Sequence, residues 1–151
     1  MAQSKNEKLN FFYLLFNRFY HYWFVEKFNR KLNIKFPDNI YRWNLIQFLI
    51  DKYNLINYLE IGCDDNKLFS KIKIQRKIGV DPFSGGTIRD TSDNFFLNNN
   101  EYFDLIFIDG LHEYKQVIRD INNSLKFLNP GGFILIHDCL PRTKAHQAIP
   151  R

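Results

Sequence analysis

Four side chains that can move a proton or hold a cation fall in two short stretches of this sequence. Asp109 and His112 lie in Ile106-Phe-Ile-Asp-Gly-Leu-His-Glu-Tyr114, and His137 and Asp138 lie in Ile136-His-Asp-Cys139. An imidazole can take the proton of a hydroxyl nucleophile near neutral pH, and a neighbouring carboxylate can orient the ring. Of the two histidines, His112 is the better placed, because it follows its apolar run within a loop; His137 sits inside an apolar run and suits pinning the backbone. Asp109 and Asp138 could also hold a divalent cation that lowers the pKa of an acceptor oxygen. Cys139 is a poor ligand for a hard cation and no third oxygen donor stands nearby, so a divalent cation is not favoured; the alternative is that the aspartates cap loops.

A second constellation lies upstream. Tyr58-Leu-Glu-Ile-Gly-Cys-Asp-Asp-Asn66 and Ile78-Gly-Val-Asp-Pro82 are acid-ended apolar stretches roughly twenty residues apart, the way an α/β nucleoside pocket begins. Glu60 and Gly62 fall where the first strand runs into a helix. Asp81 ends the second strand, a position from which a carboxylate can accept hydrogen bonds from both ribose hydroxyls. Charge argues against a dinucleotide: a pyrophosphate needs a glycine-rich turn with bare N–H groups, and here Asp64 and Asp65 occupy that turn. S-adenosylmethionine carries a ribose, a sulfonium and an ammonium but no phosphate, so the same acidic turn can accept it. The bland alternative is an ordinary strand-to-helix turn with surface aspartates.

The elements that would position these residues alternate. Strands are expected near 56 to 61, 77 to 81, 103 to 109 and 132 to 137, with helices near 66 to 73, 92 to 98 and 113 to 127. The segment 83 to 91 is polar and glycine-rich, and reads as a loop or a short edge strand. Asn129-Pro-Gly-Gly132 reads as a turn that starts the last strand. Alternation of this kind predicts an α/β fold: a Rossmann-like, doubly wound parallel sheet of about five strands. Leu105-Ile-Phe-Ile108 and Phe133-Ile-Leu-Ile136 have the continuous apolarity of strands covered on both faces. Ahead of the sheet, helices are expected near 7 to 30 and from Asp38 to about Tyr53, which divides the chain into N-terminal helices over 1–54 and the α/β domain over 55–151.

At 151 residues and 45% apolar, the chain suits one full core. Its net charge of +5 is all N-terminal: residues 1–42 hold eight Lys/Arg against three Asp/Glu, and residues 43–151 hold thirteen of each. From Phe11 to Phe28 the sequence is apolar nearly all round, with a narrow stripe of Asn10, Asn17, Arg18 and His21. It is too interrupted for a membrane span. A helix packed on the domain or on a second copy, a peripheral helix on an anionic membrane, and a nucleic-acid contact all fit the stripe. Such aromatic density favours core or interface, so a homo-oligomer or membrane contact is expected before nucleic acid. Cys63 and Cys139 show no metal spacing and nothing resembles a secretory signal, so reduced thiols and a cytoplasmic location are expected.

The spacing of Glu60, Gly62 and Asn66 resembles the Glu/Asp-x-Gly-x-x-x-Gly turn of class I methyltransferases. Asn66, of the residue type that tolerates a left-handed backbone best after glycine, replaces the last glycine. Ile-Asp-Gly-x-His-x-Tyr at 108–114 and Gly-Gly-x-x-x-x-His-Asp at 131–138 are similar to the strand ends of the methyltransferase domain 24 family, and the likeness runs from about Tyr58 to Arg142. It implies S-adenosylmethionine-dependent methyl transfer to an oxygen of a small or sugar-like acceptor. It also implies roles: Glu60, Gly62 and Cys63 along the methionine end, Asp81 at the ribose, Ser92 on the adenine side, and Asp109, His112 and Asp138 facing the acceptor. Relatives of this type continue to two further strands, so the sheet is expected to lack its last two. The rival from another class is an inactive fragment or scaffold that docks a partner or membrane through the N-terminal helix.

Overall fold

Strands covered on both faces have no solvent side to keep polar, and the chain's continuous apolar runs form the middle of a parallel sheet. The computed structural model describes residues 15–16, 19–20, 23–24 and 40–139. Helix α1 (Arg42–Tyr53) leads into β1 (Asn57–Ile61), a 3-10 turn (Phe69–Lys71), β2 (Arg76–Val80), α2 (Ser92–Asn98), β3 (Phe103–Ile108), α3 (Tyr114–Lys126) and β4 (Leu128–Ile136). The strands lie in the order β2-β1-β3-β4, every pairing parallel. Strand order reverses between β1 and β3, and the crevice outside the carboxyl ends there is where such sheets bind ligands.

Period-two alternation divides the core between the two faces. Tyr58, Leu105 and Phe107 pack with Ile46 and Ile50 of α1. Leu59, Ile61, Val80, Ile106 and Ile108 face Phe95 and Phe96 of α2 and Ile121 of α3. Helices therefore cover both faces, as the doubly wound reading requires. Leu59, Leu105 and Ile106 are fully buried, each contributing roughly 1.5–3 kcal/mol relative to exposure.

Three expectations need correction. The described sheet has four strands, not about five. Residues 83 to 91 contribute only an isolated bridge between Val80 and Ile88, because Gly85 and Gly86 take positive φ values of +60° and +66° that leave the extended region. The helix expected over 66 to 73 is only the 3-10 turn. There Leu68, Phe69 and Ile72 are buried, and Lys77 Nζ donates to the carbonyls of Phe69 and Ile72 at 2.8 and 2.9 Å, satisfying them without further helix. The segment from Asn129 to Gly132 lies inside β4. Pairing passes from Phe103↔Leu128 to Leu105↔Phe133, so the intervening residues bulge while the strand continues. Asn129 Nδ2 donates to Asp104 Oδ1 at 2.7 Å, and the other oxygen of Asp104 accepts from the N–H groups of Ile56 and Asn57, both at 2.9 Å. This carboxylate ties the amino end of β1 to β3 and to the bulge.

Of the expected first helix, Leu15, Phe16, Phe19 and Tyr20 are helical, and Trp23 and Phe24 are in a π-helical turn; its other residues, and the start of α1 expected at Asp38, lie outside the described residues. Among the described residues no helix is long and apolar enough to cross a membrane.

Candidate active site

At the carboxyl ends of β1, β2 and β3 the structure opens a cavity of about 490 Å³. Asp64, Asp81, Asp93 and Asp109 line it together with the apolar Ile61, Val80, Pro82, Phe83 and Leu111, and among the described residues no Lys or Arg lines it. Gly62, Ser92, Gly110 and Gln116 complete most of the wall. An acidic, partly apolar crevice favours a cationic ligand with a flat apolar body. Of the residues expected to bind cofactor, Gly62, Asp81 and Ser92 are thus brought to one cavity, and Asp109 joins them.

The turn after β1 is built from left-handed residues. Gly62, Asp64 and Asn66 have φ values of +84°, +45° and +63°, so Asn66 does adopt the conformation expected of the residue replacing glycine. A Cβ on Gly62 would collide with the carbonyl of Asp109 and come within 2.7 Å of the Gly110 Cα. Close approach of the β1 and β3 ends, as well as backbone angle, therefore requires glycine here.

Asp81 holds this turn. Its Oδ2 accepts from the N–H groups of Cys63 and Asp64, both at 3.0 Å, and its Oδ1 from those of Phe83 and Ser84 at 2.8 and 2.9 Å. Burial opposes its ionisation, but the four N–H groups, led by Ser84, outweigh burial and hold the carboxyl below its ordinary value. A carboxylate offers about four acceptor positions. All are occupied by backbone, and Arg89 Nη1 lies 3.8 Å from Oδ1, so in this structure Asp81 shapes the loops around the cavity.

Asp109 has a different neighbourhood. Its backbone extends the sheet, the N–H donating to the Ile61 carbonyl at 2.8 Å, while its carboxylate meets side chains. Arg42 Nη1 from α1 pairs with Oδ2. His137 Nδ1 lies 2.9 Å and His112 Nε2 3.5 Å from Oδ1. Ligand atoms of Asp109, His112 and His137 all lie within 4.8 Å of one another, and Asp138 Oδ1 lies 3.6 Å from His137 Nδ1. The expected rim of two carboxylates and two imidazoles is present, with His137 held closer to Asp109 than His112 is. This donor set has two nitrogens and one oxygen, and Arg42 already pairs with the carboxylate; that is not the oxygen-rich shell a Mg²⁺ ion requires.

Glu60 and Cys63 are placed differently. Glu60 is 1% exposed and accepts from the Tyr58 hydroxyl at 2.6 Å, on the face of β1 that α1 covers, and it is absent from the cavity lining. Burial pushes its carboxyl up to about 7, against the lowering effect of the Tyr58 hydrogen bond. Cys63 is buried and burial pushes its thiol up to about 12, which makes it a packing residue with little thiolate character. Its backbone N–H, bound to Asp81, is its link to the site.

Sequence reasoning missed Arg42, Gln116 and Asp120. No local pattern joins Arg42 to a carboxylate 67 positions away. Asp120 did carry a signal: it falls on the apolar stripe of the amphipathic α3 beside Val117 and Ile121, where a charge calls for buried partners.

Residues 71–139 match the family model described as a methyltransferase domain, Methyltransf_24. A stretch of 47 residues is 40% identical to the uncharacterized protein R132 of Acanthamoeba polyphaga mimivirus, covering 31% of this chain and 21% of that protein. In fold, the chain is similar to the N-methyltransferase NodS from Bradyrhizobium japonicum WM9, with a TM-score of 0.50 and 23% identity over 62% of this chain and 63% of that one. The chain thus spans about a fifth of the viral relative and under two thirds of the structural one.

Proposed function

We propose that this chain carries a class I S-adenosylmethionine-dependent methyltransferase domain, a reading supported by the family match over residues 71–139, and that it methylates an oxygen of a small or sugar-like acceptor presented at the Asp109–His112–His137 rim. The observation that carries this reading is the cavity at the switch point, lined by four aspartates and, among the described residues, by no Lys or Arg. It suits the positive charge and flat base of S-adenosylmethionine and opposes a phosphate. When bound there, S-adenosylmethionine supplies a methyl group on a positively charged sulfur.

The chain's own residues do the rest. Gly62 and Asp64 form the wall nearest the end of β1, and Asp81 fixes that wall by its four backbone hydrogen bonds. Pro82, Phe83 and Leu111 offer apolar surface to a purine, and Ser92 and Gln116 a polar edge. Asp109 orients the imidazoles of His137 and His112, either of which can take a hydroxyl proton as the oxygen attacks. Asp138, its side chain 46% exposed and its Oδ1 3.6 Å from His137 Nδ1, can meet an acceptor from solvent.

Calorimetry with S-adenosylmethionine on the full chain, followed by tritiated-methyl transfer to panels of sugars, phenols and amines, tests this reading. Binding and label on a hydroxyl acceptor are expected. A folded protein giving no heat of binding overturns the cofactor assignment; label only on amines overturns the oxygen assignment.

The exposed rings of Phe16, Phe19 and Phe24, 59–69% accessible, favour a second role, docking to a partner, a second copy or a membrane surface. Flotation with anionic liposomes is expected to recover little protein, because the segment carries few cations beside its aromatics; strong flotation would favour the membrane.

A further inference from the structure

Asp120 is a carboxylate the reaction above does not use, and it is among the most deeply buried groups in the protein, 1% exposed on the sheet-facing side of α3. A buried carboxylate persists where donors satisfy it. Both donors to Asp120 belong to the cavity wall: Ser92 Oγ donates to its Oδ1 at 2.6 Å and Gln116 Nε2 at 3.0 Å. Gln116 Nε2 also reaches Ser92 Oγ at 3.1 Å and Asp93 Oδ1 at 3.3 Å, and its Oε1 accepts from Arg119.

These bonds set the polarity of Ser92. A hydroxyl has one proton and two lone pairs. The proton goes to Asp120 and one lone pair accepts from Gln116, which leaves a lone pair for the cavity. Gln116 is engaged at both ends of its amide. Toward a ligand, this edge of the cavity therefore accepts a hydrogen bond and does not donate one from Ser92.

Resting on the methyltransferase reading, we propose that Asp120 is a positioning residue that locks Ser92 as an acceptor toward the cavity, so that the site selects a purine with an exocyclic amino group over one with an oxo group there. Geometry assigns the base to this end. The methyl must face the rim of Asp109, His112 and His137, which places the sulfur near Gly62 and Asp109. The nucleoside then extends past Asp81 and Pro82, beyond the end of β2, toward Ser92 at the start of α2. An amino group donates to the Ser92 lone pair; an oxo group opposes it with a second lone pair, leaving two acceptors facing each other without a proton.

The test is calorimetry of S-adenosylhomocysteine against S-inosylhomocysteine on the full-length parent, Asp120→Asn and Ser92→Ala, with thermal melts to confirm folding. The parent is expected to prefer the adenosyl ligand by about 10-fold or more. The amide introduced by Asp120→Asn can donate to Ser92 and turn the hydroxyl proton toward the cavity. That variant should therefore bind the inosyl ligand more tightly than the parent does and compress the preference to within about 3-fold. Ser92→Ala should compress it too, without that gain. A merely structural Asp120 would weaken both ligands together and leave their ratio unchanged, and a folded Asp120→Asn with the parent ratio overturns the proposal. If Asp120→Asn does not fold, Ser92→Ala decides alone, and retention of the parent ratio is fatal. Equal affinity of the parent for both ligands overturns the polarity lock only, whereas no binding of either overturns the methyltransferase reading along with it.

Discussion

Asp81 and Asp109 close the two strands that flank β1 and line the same cavity, yet the hydrogen bonds to one carboxylate come from main chain, with Arg89 3.8 Å away, while the other meets side chains alone. Four backbone N–H groups fill the acceptor positions of Asp81, whereas Asp109 meets a guanidinium and two imidazoles. Backbone donors cannot change protonation or swing away, so they make a carboxylate a fastener. Side chains that titrate and rotate make it a participant. Identical chemistry at equivalent strand ends thus divides into a residue that shapes the site and one whose partners are free to move.

The largest effect should come from removing the fastener. Asp81→Ala strands four donors, and unsatisfied buried groups cost about 1–3 kcal/mol each, less whatever water recovers; a loss of roughly 4 kcal/mol in urea denaturation is expected, with ligand binding abolished. A variant as stable as the parent would erase the distinction between the two aspartates.

A third carboxylate sharpens it. The Glu60 carboxyl rises from 4.5 to about 7 because burial outweighs the Tyr58 hydrogen bond. Between those values the folded protein keeps a proton that the unfolded chain has released. Stability is therefore full below the lower value and falls as pH rises through the upper one, by about 3 kcal/mol in all. Glu60→Gln should flatten that slope in denaturation curves taken from pH 4.5 to pH 7; an unchanged slope would show that Glu60 is not its source.

Asp109→Asn should leave folding within about 1 kcal/mol of the parent and lower methyl transfer by about 100-fold, the size of a general-base contribution. Equal transfer rates would remove Asp109 from the chemistry. Smallest is Arg42→Ala. Its side chain is 47% exposed, and an ion pair of that kind contributes at most about 1 kcal/mol, readable in the same urea curves.

The sequence made the frame legible wherever one signal sufficed. β1, β2 and β3 were marked by apolar runs ending in acids, and Asn66 by its tolerance of positive φ. It misled where two signals competed: Leu68, Phe69 and Ile72 have helical spacing but are buried in a turn whose carbonyls Lys77 satisfies. Asn129-Pro-Gly-Gly132 has turn composition but bulges within β4 under the hold of Asp104. In the site, strand-end positions revealed Asp81 and Asp109 but not their partners. The backbone donors of Asp81 depend on how two loops fold over it, and Arg42 reaches Asp109 from a helix 67 residues earlier. Glu60 followed the alternation of its strand to the far face, a consequence of period two that the acid-ended motif conceals.

The missing side chain at Gly62 has a mechanical corollary. Because its backbone rests against the Asp109 carbonyl and the Gly110 Cα, the turn after β1 and the end of β3 share a partition one peptide thick. Little slack separates them, so a substitution that pushes one strand end aside displaces the other.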